Sequence, residues 1–274
     1  MGYRNKFKKY INMKKLYIIA RRTMYILLGE IQRIFFKTKP LISILCYHSI
    51  SNDGWTFSTR FDEFERQIKY LSSEYQFISL KEVSDHVSNK KPVTVPSIAL
   101  TFDDGYKNIL SLKQIIKKYS LKPTVFLIAD REHTNRKEID TKLELLNHSD
   151  VVSMLKDGWE IGSHTSTHPD VSLLSKSEIQ YEIIESKSIL EKEFSTPIKY
   201  IAYPKGAYNN HVLQAVKTAR YQMGLSMDDG IVSVTTNPLA IPRVGVDGSH
   251  SFAEFKSLFL PLNIKLRSLI KKVI

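Results

Sequence analysis

The chain has 274 residues, of which 42% are hydrophobic and 25% are charged. This composition is ordinary for a globular protein, and it excludes both an intrinsically disordered chain and a protein with several membrane spans. The single cysteine, Cys46, excludes an internal disulfide framework. The length allows one large α/β domain or two smaller ones.

The net charge of +12 is concentrated at the two ends of the chain. Residues 1–40 carry +10 and residues 254–274 carry +4, which leaves −2 for the rest. Basic residues spread along one face would indicate a nucleic-acid partner. Because the charge is concentrated at the ends instead, we expect no nucleic-acid partner. Basic ends on a nearly neutral body instead indicate an anionic membrane surface as a partner.

Residues 1–39 alternate basic clusters with apolar groups. Arg21, Arg22, Glu30 and Arg33 interrupt the apolar stretch, so no run reaches the roughly 18 residues of a bilayer span. The two arginines also split what would be the apolar part of a secretory signal. The pattern predicts a basic amphipathic helix on a membrane surface, on the cytoplasmic side. The alternative is a helix packed on the domain with a solvated basic face.

The body of the chain alternates strand and helix patterns, with a polar loop predicted over residues 130–150. The predicted strands are short apolar runs, at residues 41–48, 77–80, 98–102, 124–129, 159–163, 199–203, 221–225 and 239–245. Helical patterns follow Ser58, run around 109–116, extend from Asp150 to Gly158 and from a Ser175–Glu178 capping box to Phe194, and recur around 212–219. This alternation predicts a parallel α/β sheet or barrel.

Polar residues stand at the carboxyl ends of four predicted strands, where the sites of such folds are built. They are His48, the pair Asp103 and Asp104, His164, and Tyr203 with Pro204. A buried strand has no structural reason to finish on two acids, because adjacent like charges repel and are costly to desolvate. One carboxylate binding a metal while its neighbour takes a proton would explain the pair.

The segment His164-Thr-Ser-Thr-His168 supplies two more ligand candidates. Histidines four residues apart converge on one ion when the backbone forms a helical turn or a tight loop. Imidazole nitrogen is a favoured zinc ligand, and two histidines with one carboxylate leave positions open for water and substrate.

Three segments together resemble the polysaccharide deacetylase family, also known as carbohydrate esterase family four or the NodB homology domain. They are Thr101-Phe-Asp-Asp-Gly105, His164-Thr-Ser-Thr-His168 and Ala202-Tyr-Pro-Lys-Gly206. The resemblance covers about residues 41–250 and implies a distorted, incomplete (β/α) barrel of about seven strands. It also implies a hydrolase that removes N-acetyl groups from an amino sugar in a glycan or glycolipid. We therefore expect a catalytic domain at 40–250, flanked by basic amphipathic segments at 1–39 and 251–274.

The resemblance assigns roles residue by residue. Asp104, His164 and His168 would bind a divalent metal, zinc first, with Co²⁺, Ni²⁺ or Mn²⁺ as alternatives. Asp103 would be the general base that takes a proton from the attacking water. The Tyr-His pair ending the first strand looks like the branch that deacetylates poly-N-acetylglucosamine, which implies His48 as the general acid.

The third segment departs from the family pattern Arg-x-Pro-Tyr, because it reads Ala-Tyr-Pro-Lys. The missing arginine normally positions the catalytic aspartate, and we expect Arg243 to take over that role. The missing tyrosine normally supplies a backbone N–H to the oxyanion, and the N–H of Lys205 would still do so, with Tyr203 and Pro204 beside it. His250 is interpreted as part of an ordinary loop.

The remaining histidines have no partners in the sequence pattern, so we interpret them as surface residues; they are His86, His133, His148 and His211. Two other functions stay open. One is a deformylase or deacetylase of a lipid-linked amino sugar at the membrane. The other is an inactive barrel that binds glycan, which the retention of all four polar groups at Asp103, Asp104, His164 and His168 disfavours.

Overall fold

The computed structural model describes residues 2–35, 40–134, 139 and 142–271, with side chains from residue 18 to residue 270. The helices are α1 Gly2–Phe35, α2 Phe61–Glu74, α3 Leu80–Ser88, α4 Lys113–Lys118, α5 His148–Lys156, α6 Lys176–Gln180, α7 Ser186–Phe194, α8 Asn210–Thr218, α9 Phe252–Leu258 and α10 Pro261–Lys271. The strands are β1 Ile42–Tyr47, β2 Ser49–Ile50, β3 Ser58–Thr59, β4 Gln76–Phe77, β5 Ser97–Phe102, β6 Thr124–Leu127, β7 Glu160–Ser163, β8 Tyr200–Ala202, β9 Met223–Leu225 and β10 Val244–Gly245.

Seven strands form one curled sheet in the order β10-β1-β5-β6-β7-β8-β9, with β4 added beside β5. Every neighbouring pair in this sheet is parallel. The carboxyl ends of all seven strands therefore lie at one edge. The predicted incomplete (β/α) barrel of about seven strands is confirmed.

The core divides between the two faces of the sheet. In β1 the adjacent residues Ile44 and Leu45 are both fully buried but belong to different clusters, as strand alternation requires. Leu45 packs in the cluster that includes Phe64 of α2, whereas Ile44 packs in the cluster that includes Val83 of α3. Because both faces are covered, the strands are continuous apolar runs rather than alternating patterns.

The helix predicted after Ser58 is confirmed as α2, which begins at Phe61, and Ser58 itself is in β3, where its hydroxyl donates to Ser49. Two other local predictions are corrected by the structure. Helix α5 starts at His148, because Asn147 is its N-cap and Asp150 is the third helical residue of a capping box. The strand predicted at 77–80 is found only at its first residue, because β4 is Gln76–Phe77.

Helix α3 was not predicted, although its capping box is in the sequence. Ser79 accepts a hydrogen bond from the backbone N–H of Glu82, and the Glu82 carboxylate accepts one from the backbone N–H of Ser79. The side chain of His86 lies on the buried face of this helix and hydrogen-bonds the carbonyl of Lys91. Its prediction as a surface residue is therefore wrong.

The predicted Ser175–Glu178 capping box is confirmed at the start of α6. The helix that it opens is interrupted by a π-helical turn at Tyr181–Glu185 before continuing as α7. Such a turn shifts the side chains by part of a turn and is frequent at functional sites.

Helix α1 packs against α9 and α10, so both ends of the chain join on the same side of the barrel. Tyr25 is buried there, and the side-chain oxygen of Gln32 accepts a hydrogen bond from the backbone N–H of Leu262 at 2.8 Å. Arg21 and Arg22 both bond the buried carboxylate of Glu254. The predicted C-terminal helix over 251–274 is two helices, α9 and α10, as far as residue 271.

Among the helices described, none combines the length and the apolar character that crossing a bilayer requires.

Candidate active site

Asp104, His164 and His168 meet at the carboxyl edge of the sheet, each buried, with their ligand atoms within 4.8 Å of one another. Oδ1 of Asp104 lies 3.4 Å from Nε2 of His164 and 3.3 Å from Nε2 of His168. Two ligands of a tetrahedral zinc ion, each roughly 2.1 Å from the metal, are about 3.4 Å apart. The spacing of these three atoms therefore fits a shared ion.

The buried polar atoms that lack hydrogen-bond partners also support a shared ion. Oδ1 of Asp104 and Nδ1 of His168 are buried, and neither has a hydrogen-bond partner among the described residues. A buried polar atom without a partner is costly, and a cation would satisfy the carboxylate oxygen. Burial alone would raise the pKa of Asp104, but the two imidazoles hold that pKa well below its ordinary value, so the carboxylate is ionised.

The backbone of this site is strained. Asp104, Thr165 and His168 have φ angles of 69°, 68° and 62°, in the left-handed region that non-glycine residues seldom adopt. Gly105 also has a positive φ, of 73°, as expected for the sharp turn after β5. Strain of this kind persists only where surrounding contacts hold it, and it concentrates at functional sites.

One such contact orients His164. Its Nδ1 atom donates to the backbone carbonyl of Ala202, at 2.8 Å, in the third of the sequence segments that carry the family resemblance. This bond fixes the tautomer and leaves the lone pair of Nε2 directed towards Asp104. This hydrogen bond could not be predicted from the sequence, because every residue type offers the same backbone carbonyl as an acceptor.

A second contact holds the loop between the two histidines. The carboxylate of Glu182 accepts hydrogen bonds from the backbone N–H groups of Ser166 and Thr167, at 2.8 and 2.9 Å, and from the Thr167 hydroxyl, at 2.7 Å. Glu182 is only 5% exposed and lies on the π-helical turn between α6 and α7. It was missed because a glutamate in a helical pattern is usually solvated.

Asp103 is fixed beside this cluster by a fully buried arginine. The two terminal nitrogens of Arg243 each donate to one carboxylate oxygen of Asp103 at 2.7 Å, and one of them also donates to Thr101. Burial alone would raise the pKa of Asp103, but the Arg243 charge outweighs it and lowers that pKa to about 2. The carboxylate is therefore ionised at neutral pH and held in one orientation.

Cys46 adds a third donor to Asp103, which sequence reasoning did not anticipate. Its Sγ lies 3.3 Å from Oδ2 of Asp103. Burial raises the pKa of the Cys46 thiol well above its ordinary value, so the thiol stays protonated and donates. The ligand-type atoms of Cys46, His48 and Asp103 all lie within 4.8 Å of one another, which places His48 next to the general-base candidate.

His48 and His250 both line a cavity of about 390 Å³ beside this cluster. The His48 ring contacts Phe57 at 5.1 Å between centroids. His250 lies in the loop predicted for it, but its side chain is only 5% exposed. Its Nδ1 atom accepts from the backbone N–H of Asp247 at 3.3 Å, and burial lowers its pKa, so it is neutral.

The third segment contributes backbone rather than side chains. The Tyr203 hydroxyl donates to the carbonyl of Leu239 at 2.7 Å, and both backbone polar groups of Tyr203 are paired within the protein. The Tyr203 side chain is therefore held by the protein, and its contact with substrate stays a prediction. Pro204 is buried beside it, and Lys205 follows with a positive φ of 59° and an exposed side chain.

The other predicted surface histidines are exposed: His133 and His148 retain 75% and 59% of their side-chain surface, and His211 is exposed on α8.

Comparison with known proteins gives consistent relatives. The family model for polysaccharide deacetylase matches residues 90–224. The chain is 32% identical over 216 residues to the putative polysaccharide deacetylase YxkH of Bacillus subtilis, covering 78% of this chain and 74% of that protein. It is 28% identical over 219 residues to poly-β-1,6-N-acetyl-D-glucosamine N-deacetylase of Staphylococcus aureus, covering 76% of this chain and 74% of that protein.

Solved structures agree. The Streptococcus pyogenes deacetylase PplD, in complex with acetate, superposes with a TM-score of 0.66 at 28% identity, over 77% of this chain and 94% of that one. IcaB from Ammonifex degensii superposes with a TM-score of 0.72, over 83% of this chain and 98% of that one. At 16% identity, the likeness to IcaB concerns the fold alone.

Proposed function

Because the chain belongs to the polysaccharide deacetylase family, we propose that it hydrolyses the N-acetyl group of an amino sugar at a divalent metal held by Asp104, His164 and His168. It is a hydrolase of carbon–nitrogen bonds other than peptide bonds. The observation that carries the proposal is the convergence of the three buried ligand atoms next to an ionised, arginine-bound Asp103.

Two imidazoles and a carboxylate with open positions form a ligand set of catalytic zinc, and Co²⁺, Ni²⁺ and Mn²⁺ accept similar ligands. A cation held by Asp104, His164 and His168 would polarise the amide carbonyl and would lower the pKa of the attacking water towards ~7. His164 and His168 present Nε2 to the same point as Asp104, and the Ala202 and Glu182 contacts keep them there.

Asp103 takes the proton of the attacking water. Arg243 and Cys46 hold its two oxygens in place, so that the base is fixed before substrate binds. Arg243 thus performs the positioning that the family pattern assigns to an arginine in the third segment. The backbone N–H of Lys205, in the turn after Pro204, donates to the oxyanion, for which side-chain identity is immaterial.

The proposed substrate is a glycan that contains N-acetylglucosamine, since one relative is named for poly-β-1,6-N-acetyl-D-glucosamine. Purified protein loaded with zinc is expected to release acetate from β-1,6-linked N-acetylglucosamine oligomers. A chelator should abolish the release and added zinc should restore it. Absence of acetate release by the metal-loaded protein from these oligomers and from other N-acetylated glycans would overturn the proposal.

His48 protonates the leaving amine in this proposal, since it lies beside Asp103 and at the edge of the cavity. The His48→Ala variant should lose turnover by about a hundredfold or more, the usual scale of general-acid loss. The alkaline limb of its pH–rate profile should move or disappear. His250→Ala is the matched control, and it should keep its turnover at saturating substrate. The reverse pattern would transfer the acid role to His250.

A second candidate substrate is an amino sugar on a lipid carrier, which the exposed face of α1 favours. Ile34 and Phe35 are 72% and 73% exposed, on a segment with a charge of +10. Each Lys or Arg near an anionic surface contributes about 1 kcal/mol to binding, and buried apolar side chains add to it. We therefore propose that α1 contacts an anionic membrane surface.

Deleting residues 1–39 would also remove the buried Tyr25 and Gln32, so point substitutions test this contact better. The protein should sediment with anionic vesicles and be partly released at high salt, as screening weakens the charge contribution. The variant Ile34→Glu/Phe35→Glu should bind anionic vesicles poorly. The control Leu173→Glu changes a residue that is 81% exposed and lies outside α1, so it should bind normally. Equal binding to neutral and anionic vesicles would contradict the proposal, and so would unchanged binding of the double variant.

A further inference from the structure

A second group of potential metal ligands lies beside Asp104, His164 and His168. It consists of Cys46, His48 and Asp103, each of which offers one ligand atom within 4.8 Å of the other two. Sγ of Cys46 and Oδ2 of Asp103 are 3.3 Å apart. A thiolate sulfur and a carboxylate oxygen on one tetrahedral zinc ion, at roughly 2.3 and 2.1 Å from it, are about 3.6 Å apart. The two atoms are therefore close to the spacing that a shared ion requires.

Asp103 can bind an ion without losing its arginine. A carboxylate has about four lone-pair positions, and Arg243 takes one on each oxygen through hydrogen bonds of 2.7 Å. A further position on Oδ2 accepts the thiol hydrogen of Cys46. An ion between Sγ and Oδ2 would take the place of that hydrogen. The S–H bond breaks, a sulfur–metal bond forms, and the proton leaves to water.

His48 supplies the third ligand and the route to the site. Its Nδ1 atom is buried and has no hydrogen-bond partner in the part of the chain that the structure describes. A buried nitrogen without a partner is costly, and a cation is a partner that would satisfy it. The residue as a whole is half-buried and lines the cavity of about 390 Å³, whereas Cys46 is fully buried. An ion therefore reaches the sulfur from the cavity, past His48.

We infer that Cys46, His48 and Asp103 form a second, inhibitory metal site for thiophilic divalent cations, such as Cd²⁺ or an excess of Zn²⁺. A sulfur ligand selects soft cations over Mg²⁺ and Mn²⁺, which prefer oxygen ligands. An ion held there occupies the proposed general base and the proposed general acid at once, so catalysis stops. The loss of activity rests on the proposed function, whereas the binding of the second ion does not.

The second site fills after the first. Oδ2 of Asp103 lies 3.9 Å from Nε2 of His164, so the two ions are neighbours and repel each other. Arg243 adds a positive charge beside the second ion, and that ion must also displace the thiol proton. The first equivalent of metal therefore binds to Asp104, His164 and His168. The second ion binds more weakly, and protein freed of unbound metal keeps one equivalent.

Sulfur absorption tests the second site directly, because Cys46 is the single cysteine of the chain. Co²⁺ is titrated into the metal-free protein, and the near-ultraviolet charge-transfer band of a thiolate bound to Co²⁺ is recorded. The first equivalent should give no such band, and further Co²⁺ should produce it. Absence of the band at every ratio would overturn the second site, and saturation of the band by the first equivalent would overturn the order of filling.

Cys46→Ser removes the sulfur ligand. Its matched control is His250→Ala, because His250 lines the same cavity but is not one of the three ligands. Cys46→Ser should lack the band and bind the second ion about tenfold or more weakly, whereas the control should behave as wild type in both respects. Unchanged affinity of Cys46→Ser for the second ion would contradict the assignment. If this variant does not fold, as judged by thermal unfolding, the wild-type titration still decides the site.

Activity tests the inhibition. Excess Zn²⁺ or Cd²⁺ should lower acetate release by about a hundredfold relative to one equivalent of Zn²⁺, the scale of losing a general base. Excess Mn²⁺ should not inhibit the Mn²⁺-loaded protein, and equal inhibition by Mn²⁺ would contradict a sulfur site. A band that forms without loss of acetate release would overturn the inhibition. If the protein releases no acetate with any metal, the proposed function fails, and the band still decides the second site.

Discussion

Asp103→Asn is expected to keep its metal and to lose turnover by about a hundredfold or more, the usual scale for removing a general base. The amide has nearly the shape of the carboxylate but cannot take a proton from the attacking water. Asp103 is bound by Arg243 and Cys46, and its Oδ2 atom lies 3.9 Å from Nε2 of His164, farther than the 3.4 Å of Oδ1 of Asp104. Acetate release and bound metal, measured on the same preparation, check the two expectations together.

The adjacent carboxylate provides the control. Asp104→Asn removes a ligand whose Oδ1 lies 3.3–3.4 Å from both histidine nitrogens, so it should lose activity together with metal. Asp103 would then act as the general base and Asp104 as a metal ligand, as the sequence predicts. Near-normal turnover in Asp103→Asn would mean that another group takes the proton.

Arg243→Met is expected to destabilise the fold by about 3–5 kcal/mol and to remove most activity, because it leaves the Asp103 carboxylate buried without its counter-charge. Arg243 is fully buried and Asp103 is 3% exposed. The double variant Asp103→Asn/Arg243→Met should recover much of the lost stability but none of the activity. Urea unfolding measures the first effect, and acetate release measures the second.

An exposed ion pair is the comparison. Arg60 and Asp62 retain 61% and 71% of their side-chain surface, so Arg60→Met should cost less than about 1 kcal/mol. If Arg243→Met costs no more than Arg60→Met, or if the double variant is no more stable than the single one, the buried pair does not have the role described here.

The sequence was most informative at positions where core packing cannot explain the residue type. Acids at the end of a buried strand and two histidines four residues apart cannot be explained by core formation, and the structure brings Asp103, Asp104, His164 and His168 together. The fold followed from the alternation of apolar runs and helical patterns. Arg243 could be proposed only because the family's usual arginine is absent from the third segment, and its fully buried position is found only in the structure.

The contacts that the sequence did not predict depend on packing between residues that are distant in the chain. The role of Glu182 requires the π-helical turn, which no local pattern signals, and the role of Ala202 requires only a carbonyl. The basic N-terminal segment was assigned to a membrane surface because its charge is visible in the sequence. The burial of Tyr25 and Gln32 depends on α9 and α10, more than two hundred residues away, and the sequence does not show that pairing.

Metal content is the most direct test of the central claim, that Asp104, His164 and His168 hold the ion on which deacetylation depends. Wild type and His164→Ala would be loaded with zinc in parallel, and bound metal and affinity measured, with the exposed His133→Ala as control. We expect about one equivalent of zinc in wild type and in the control. We expect an affinity for zinc at least about a hundredfold weaker in His164→Ala, since even the loss of an outer contact costs 10–100-fold. A full equivalent bound by His164→Ala with unchanged affinity would contradict the central claim.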